Sequence, residues 1–199
     1  IHSVGNNTPY IIGIALNALF VIVEVVAGIL NNSMSLLTDA GHNLSDVASL
    51  VLSLIAFRLA KKRSTEKFTY GFKKATVLAA LFNAVLLLIA IGILGFESVN
   101  RLFNPAAVKG DIIAWVAAAG IFVNVITALL FFKNRNSELN NKSAYLHMMS
   151  DALVSIGVVA GGIIIIYTGW YWVDPAIGLA IMVVILLGTW SLLTESFRL

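Results

Sequence analysis

The stretch TDAGHNLSDVASLVLSLIA, residues 38–56, decides the fold. It belongs to an apolar run from about Ser35 to Ala60, and about 20 mostly apolar residues suffice for a helix to cross a bilayer. Asp39, His42 and Asp46 nevertheless lie inside it. An ionisable group within a span costs at least roughly 2.5–3.5 kcal/mol and usually faces the interior of the bundle. His42 and Asp46 are four residues apart, hence on one helical face, one turn apart. A second run, from about Ser143 to Thr168, repeats the pattern as HMMSD at 147–151, with His147 and Asp151 again four apart. The chain has 3 histidines, and two of them stand in this pattern.

Outward from these runs the whole chain reads as membrane protein. Hydrophobic residues make up 59% of the 199, charged residues 12%, and the mean hydropathy is +0.93. Soluble domains carry about 25% charge. The predicted fold class is an all-α membrane protein of six transmembrane helices, with spans at about 9–30, 35–60, 76–99, 111–132, 143–168 and 175–198. Thr8 and Pro9 provide a cap and a first helical residue for the first span. Weak period-two alternation speaks against a β-barrel. The connections are short, so neighbouring helices run antiparallel and residues 1–199 form one transport-sized domain with no room for a separate soluble one. No charged segment followed by a cleavable apolar stretch opens the chain. Zero cysteines exclude disulfides and thiolate metal sites.

A sequence pI of about 9.3 could suggest nucleic acid as a partner, but the basic residues sit in loops beside apolar runs. Lys61, Lys62, Arg63, Lys67, Lys73 and Lys74 follow the second span, and Lys133, Arg135 and Lys142 follow the fourth. Arg101 and Lys109 lie in the opposite loops. The positive-inside rule places the larger group, and with it both termini, in the cytoplasm. The predicted partners are therefore the lipid bilayer and whatever crosses it, with no nucleic acid.

The ionisable residues at membrane depth are Glu24, Asp39, His42, Asp46, His147 and Asp151, with Asn17, Asn43, Asn83 and Asn124 as uncharged additions. If the second and fifth helices are neighbours, the two His-x-x-x-Asp pairs converge two nitrogens and two oxygens. Four such ligands at about 2.0–2.2 Å make a tetrahedral site suited to Zn²⁺. The pairs lie near the starts of antiparallel spans, at opposite ends, so their meeting near mid-depth requires that helix boundaries shift or that the helices are displaced along the membrane normal. The competing reading is interhelical hydrogen bonding, worth about 0.6–2 kcal/mol per pair. Two carboxylates meeting in low dielectric repel, however, and call for a metal ion or protons between them. Two readings stay open for Asp39: a group behind or at the entrance to the site, or a helix-start carboxylate favoured by the dipole. Glu24 reads either as a proton carrier or as a polar partner for another helix. The asparagines read as helix contacts, with Asn43 and Asn124 the ones placed to line a path. Gly157 and Gly161 form a G-x-x-x-G of close helix packing, and His2 reads as solvated near a free end.

Several of these stretches resemble, in order, those of the cation diffusion facilitator family of metal transporters, in its bacterial zinc-exporter branch. They are SMSLLTDAGHNLSDVASLVLSLIA, FTYGFKKATVLAALFNA, GFESVNRL, SAYLHMMSDALVSIGVV and WVDPAIGL. The resemblance implies a six-helix, multi-pass homodimer in the bacterial inner membrane that exports divalent metal in exchange for protons. It also implies a transport site between the second and fifth helices, which maps onto His42, Asp46, His147 and Asp151. A His with an Asp on the second helix goes, in that family, with zinc over cadmium, as a more nitrogen-rich site would. Many members carry a cytoplasmic ferredoxin-like domain after the sixth helix; the sequence ends at Leu199, so that C-terminal domain is not present in this chain. The loop after the second span offers only Glu66, so no second loop metal site is expected there. The loop after the fourth span has no His-rich tract.

The function so read is a zinc/proton antiporter working by alternating access. Zn²⁺ is the transported substrate and protons are the counter-ion. A catalytic zinc keeps an open position beside three protein ligands, and no H-E-x-x-H or nucleophile–base arrangement is present. An enzyme is therefore not expected.

Overall fold

Why the apolar runs become helices, and where each stops, is visible in the computed structural model. It describes the backbone of residues 8–61, 69–132 and 139–196, and the side chains of 11–52, 55, 81–132 and 144–187. These residues form α1 (Thr8–Leu30), α2 (Met34–Lys61), α3 (Thr69–Phe103), α4 (Gly110–Phe132), α5 (Leu139–Thr168) and α6 (Val173–Ser196), with no strand among them. The expected spans agree to within one or two residues at most ends. α3 is longer at both ends, and α5 starts four residues earlier than the apolar pattern alone suggests. Polar residues such as Lys142 cannot extend a hydropathy run, yet they continue a helix freely. Thr8, expected as the cap, is itself the first helical residue of α1. Residues 1–7, His2 among them, lie outside the described residues, as do Lys62, Arg63, Glu66, Lys67, Lys133 and Arg135. The side chains of Lys61, Lys73, Lys74 and Lys142 do as well.

The turn between α1 and α2 is set by its sequence. Ser33 N–H donates to Gly28 O at 2.9 Å and Asn32 N–H to Ile29 O at 3.3 Å, the bond pair of a Schellman cap. Asn32 takes the left-handed conformation the cap demands, φ 52°, which asparagine tolerates better than most residues. A Cβ on Gly28 would lie 2.8 Å from Leu37, so glycine here lets the two helices close into a hairpin.

α1 packs on α2 and α4, α4 on α5, α5 on α6 and α6 on α2, which closes a ring. α3 lies outside it, against α2 and α6. α2 and α5 face each other across the ring and approach only over a short stretch. The buried core, to which α2 to α6 contribute, holds Leu36, Ile91, Ile113, Val158, Ile181 and Ile185. The outside is greasier than any soluble surface, with Leu19, Ile22, Phe96, Trp115, Phe122, Leu153 and Leu187 exposed. A continuous apolar exterior of this kind is stable only in lipid. α1, α3, α4 and α5 each contain a stretch long and apolar enough to cross a bilayer, and α6 contains a shorter one, Val173–Leu187. At 1.5 Å per residue the 23 residues of α4 span about 34 Å, enough for a hydrocarbon core of about 30 Å. α2 is the least apolar helix, and it carries Asp39, His42, Asn43 and Asp46.

Candidate metal centre

The displacement between the two pairs resolves in how α6 meets its neighbours. A Cβ on Gly178 would touch the Met34 backbone, and one on Gly161 would meet Ile177 and Val173. Gly161 of α5 and Met34 of α2 therefore lie at similar depth. His42 and Asp46 follow Met34 by eight and twelve residues, about 12 and 18 Å along α2. Asp151 and His147 precede Gly161 by ten and fourteen residues, about 15 and 21 Å along α5. The four groups interleave, because α5 continues past the start of α2 for its last seven residues.

His42 Nε2 lies 3.4 Å from Asp151 Oδ1 and 3.5 Å from Asp46 Oδ2. His147 Nε2 lies 3.2 Å from Asp46 Oδ1 and 3.8 Å from Asp151 Oδ2. Each carboxylate thus offers one oxygen to each imidazole, and the two rings stand edge to face, 5.9 Å between centroids. His42, Asp46 and Asp151 each offer a ligand atom within 4.8 Å of the others. His147 completes the ring from its more open edge: its side chain is 40% exposed, against 18% for His42, 17% for Asp46 and 3% for Asp151. Ligand bonds of about 2.0–2.1 Å in a tetrahedron put neighbouring ligand atoms about 3.3 Å apart. The four N···O separations bracket that value. Asp46 Oδ2, Asp151 Oδ2 and His42 Nδ1 are buried without a hydrogen-bond partner.

The other residues singled out in the sequence fall into two groups. Glu24 is fully buried and accepts a hydrogen bond from Asn43 Nδ2 at 2.9 Å, which makes it a polar partner of α2. Asp39, one turn before Asn43, is 1% exposed and neither of its oxygens has a hydrogen-bond donor. α2 has no acidic residue in its first turn, so the helix-start reading of Asp39 does not hold. Asn124 is fully buried with both side-chain polar atoms unpaired. The close approach of Gly120 to Ser155 sets Asn124, one turn on, level with Asp151, one turn back. Asn17 and Asn83 make helix contacts as expected: Asn17 donates to Gly13 O and Thr127 Oγ1, Asn83 to Ser45 O and Oγ. Of the G-x-x-x-G, only Gly161 sits at a close approach; a Cβ on Gly157 would meet nothing. The sequence reading missed Asp174, which is 1% exposed and bonded to the start of α2. The signal was there: a helix opening at Ser-Met-Ser with no acid of its own, and an Asp-Pro opening another.

A bundle of membrane helices with imidazole and carboxylate pairs facing one another inside it defines a multi-pass integral membrane protein built around a polar centre. The cation efflux transmembrane domain matches residues 10–199, and the chain belongs to that family, the cation diffusion facilitators. It is 41% identical over 198 residues to the metal cation efflux system protein CzcD of Cupriavidus metallidurans, covering 99% of this chain and 62% of that protein. It is 35% identical over 195 residues to the zinc transporter ZitB of Pectobacterium atrosepticum, covering 98% and 61%. Against the cadmium, cobalt and zinc/H(+)-K(+) antiporter of Bacillus subtilis the identity is 36% over 183 residues, covering 90% and 58%. The chain thus spans about three-fifths of the length of these relatives, which are named as transport proteins and not as enzymes.

Proposed function

We propose that residues 1–199 are the transport domain of a zinc exporter that exchanges Zn²⁺ for protons by alternating access. The ligands in this reading are His42, Asp46, His147 and Asp151. The observation that carries it is the closed ring of four N···O separations of 3.2–3.8 Å between two helices that otherwise barely meet. Three of these exceed the 2.7–3.2 Å of a good N–H···O bond. They suit ligands around an ion better than side chains that hold helices together directly. The names of relatives add support: one is a zinc transporter, another an antiporter of zinc, cadmium and cobalt against protons and potassium.

Binding requires neutral imidazoles and ionised carboxylates, so metal and protons compete for the same groups. Histidine titrates near physiological pH, which suits His42 and His147 to the exchange. The exposed edge at His147 is the entrance for Zn²⁺ on the cytoplasmic side, where the basic loops and both termini lie. The opposite side is closed by buried Glu24, Asp39 and Asn43, which serve as the proton path, with Asn124 beside Asp151. The protein works as a homodimer in the bacterial inner membrane. Transport by the full-length protein in reconstituted vesicles is the test. Zinc movement driven by a proton gradient and lost in Asp151→Ala supports the reading, and an Asp151→Ala protein that moves zinc as the parent does would sink it.

A further inference from the structure

The first three free N–H groups of α2 need acceptors, because no preceding helical turn exists to supply them. Ser33 supplies one in the ordinary way, its Oγ accepting from Leu36 N–H at 3.3 Å. The other two are taken by a side chain from a different helix. Asp174 Oδ2 accepts from Met34 N–H at 2.6 Å, and Asp174 Oδ1 accepts from Ser35 N–H at 3.2 Å. The same Oδ1 accepts from the hydroxyls of Ser33 at 2.7 Å and Ser35 at 2.5 Å. All three residues are buried to within 1%. The carboxylate also sits at the positive end of the α2 dipole, where a negative charge is favoured.

α6 meets both helices that carry the proposed ligands. Next to Asp174, Gly178 lets α6 close on the Met34 backbone, while Val173 and Ile177 pack against Gly161 of α5. α2 and α5 have little direct contact to set their own register. α2 is unbroken helix from Met34 to Lys61, without proline and with Gly41 as the one glycine before His42, so a movement at its start is carried along the helix to His42 and Asp46.

We infer that Asp174 is a positioning residue for the metal centre: by capping α2 from α6, it fixes the register in which His42 and Asp46 meet His147 and Asp151. This rests on the metal reading of those four residues, but the bracket itself can be measured without metal.

Residues 1–199 contain no cysteine, so in full-length protein with any cysteine beyond them replaced by serine, Leu44→Cys and Leu153→Cys, both at exposed positions, can carry spin labels on α2 and α5. In the parent a single narrow label-to-label distance is expected. Asp174→Asn is expected to broaden and displace it, and to weaken zinc binding about ten- to a hundredfold, as loss of an outer support does. Asp174→Glu, which keeps the charge, is expected to recover part of both. Unchanged distance and unchanged zinc affinity in Asp174→Asn would overturn the inference. Should Asp174→Asn not fold, Ser35→Ala strips one hydroxyl donor from Asp174 and leaves both the charge and the cap of Ser33 on Leu36. A smaller displacement in the same direction with about threefold weaker zinc binding is then expected, and parent-like values in both would overturn it. A parent that binds no zinc would defeat the metal reading alone, since the label distance still reports on the bracket.

Discussion

His42 Nε2 is as close to Asp151 on the facing helix, at 3.4 Å, as to Asp46 on its own, at 3.5 Å. His147 is closer to Asp46 across the gap, at 3.2 Å, than to Asp151 one turn away, at 3.8 Å. The centre is therefore built from cross-helix pairs, and the i, i+4 spacing serves to present one nitrogen and one oxygen from each side.

Coupling across that gap follows from the geometry. His42→Ala and Asp151→Ala are each expected to lower zinc affinity by more than about a hundredfold, since loss of outer supports alone costs about 10–100-fold. The double variant is expected to lose far less than the product, because a shell already missing one ligand has little left to lose. A titration of the four proteins measures it, and simple multiplication of the two losses would argue against a shared ion.

Zinc binding is expected to weaken on acidification. Both imidazoles must be neutral to ligate, so over the range in which each takes up its proton it contributes on the order of a tenfold loss per pH unit. Calorimetry at one pH in buffers of different ionisation heat counts the protons released as zinc binds. No release at pH 6 would mean that the imidazoles are not ligands.

Glu24 and Asn43 form a buried bond of 2.9 Å, and removing one partner strands the other. Asn43→Leu is expected to cost about 1–3 kcal/mol of stability. Glu24→Gln should keep zinc binding within about threefold while reducing proton-driven zinc flux, if protons pass this way; binding energies and transport rates are separable quantities of this kind. Flux that stays at the parent level with Glu24→Gln removes Glu24 from the path.

The glycines of α5 differ sharply in what surrounds them. A Cβ on Gly162 would lie 2.7 Å from Gly110 O and 2.8 Å from Ala114 N, both backbone atoms of α4 that cannot rotate away. Gly162→Ala is expected to cost about 1–3 kcal/mol as overpacking. Gly157→Ala meets open space and should be neutral or gain up to about 1 kcal/mol of helix propensity. Thermal unfolding in detergent compares them.

Much of this was legible in the chain itself. The apolar runs yielded six helices with close boundaries, because a membrane span must satisfy its backbone internally and leaves few alternatives. The four residues now found together were singled out by one spacing used twice, and the pairing of their helices was what the family resemblance implied. The vertical fit of the two pairs was not, since it depends on how far α5 overshoots the start of α2, which is set by glycine contacts with α6. Asp174 stayed hidden for a related reason: its hydrogen bonds reach residues about 140 positions earlier in the chain. Period and propensity are local signals. Asp39 shows the opposite failure: an expected start at Ser35 left a helix-start reading open, but five residues past Met34 the carboxylate lies beyond the first turn, where the dipole effect has faded.

The most direct test is the zinc X-ray absorption spectrum of the full-length protein loaded with one equivalent of Zn²⁺. Four nitrogen or oxygen neighbours at about 2.0–2.2 Å with the outer-ring scattering of two imidazoles are expected, reduced to one imidazole in His147→Ala, and with a lengthened or rearranged first shell in Asp46→Ala. A shell without imidazole, or a spectrum unmoved by both substitutions, would contradict the centre proposed between α2 and α5.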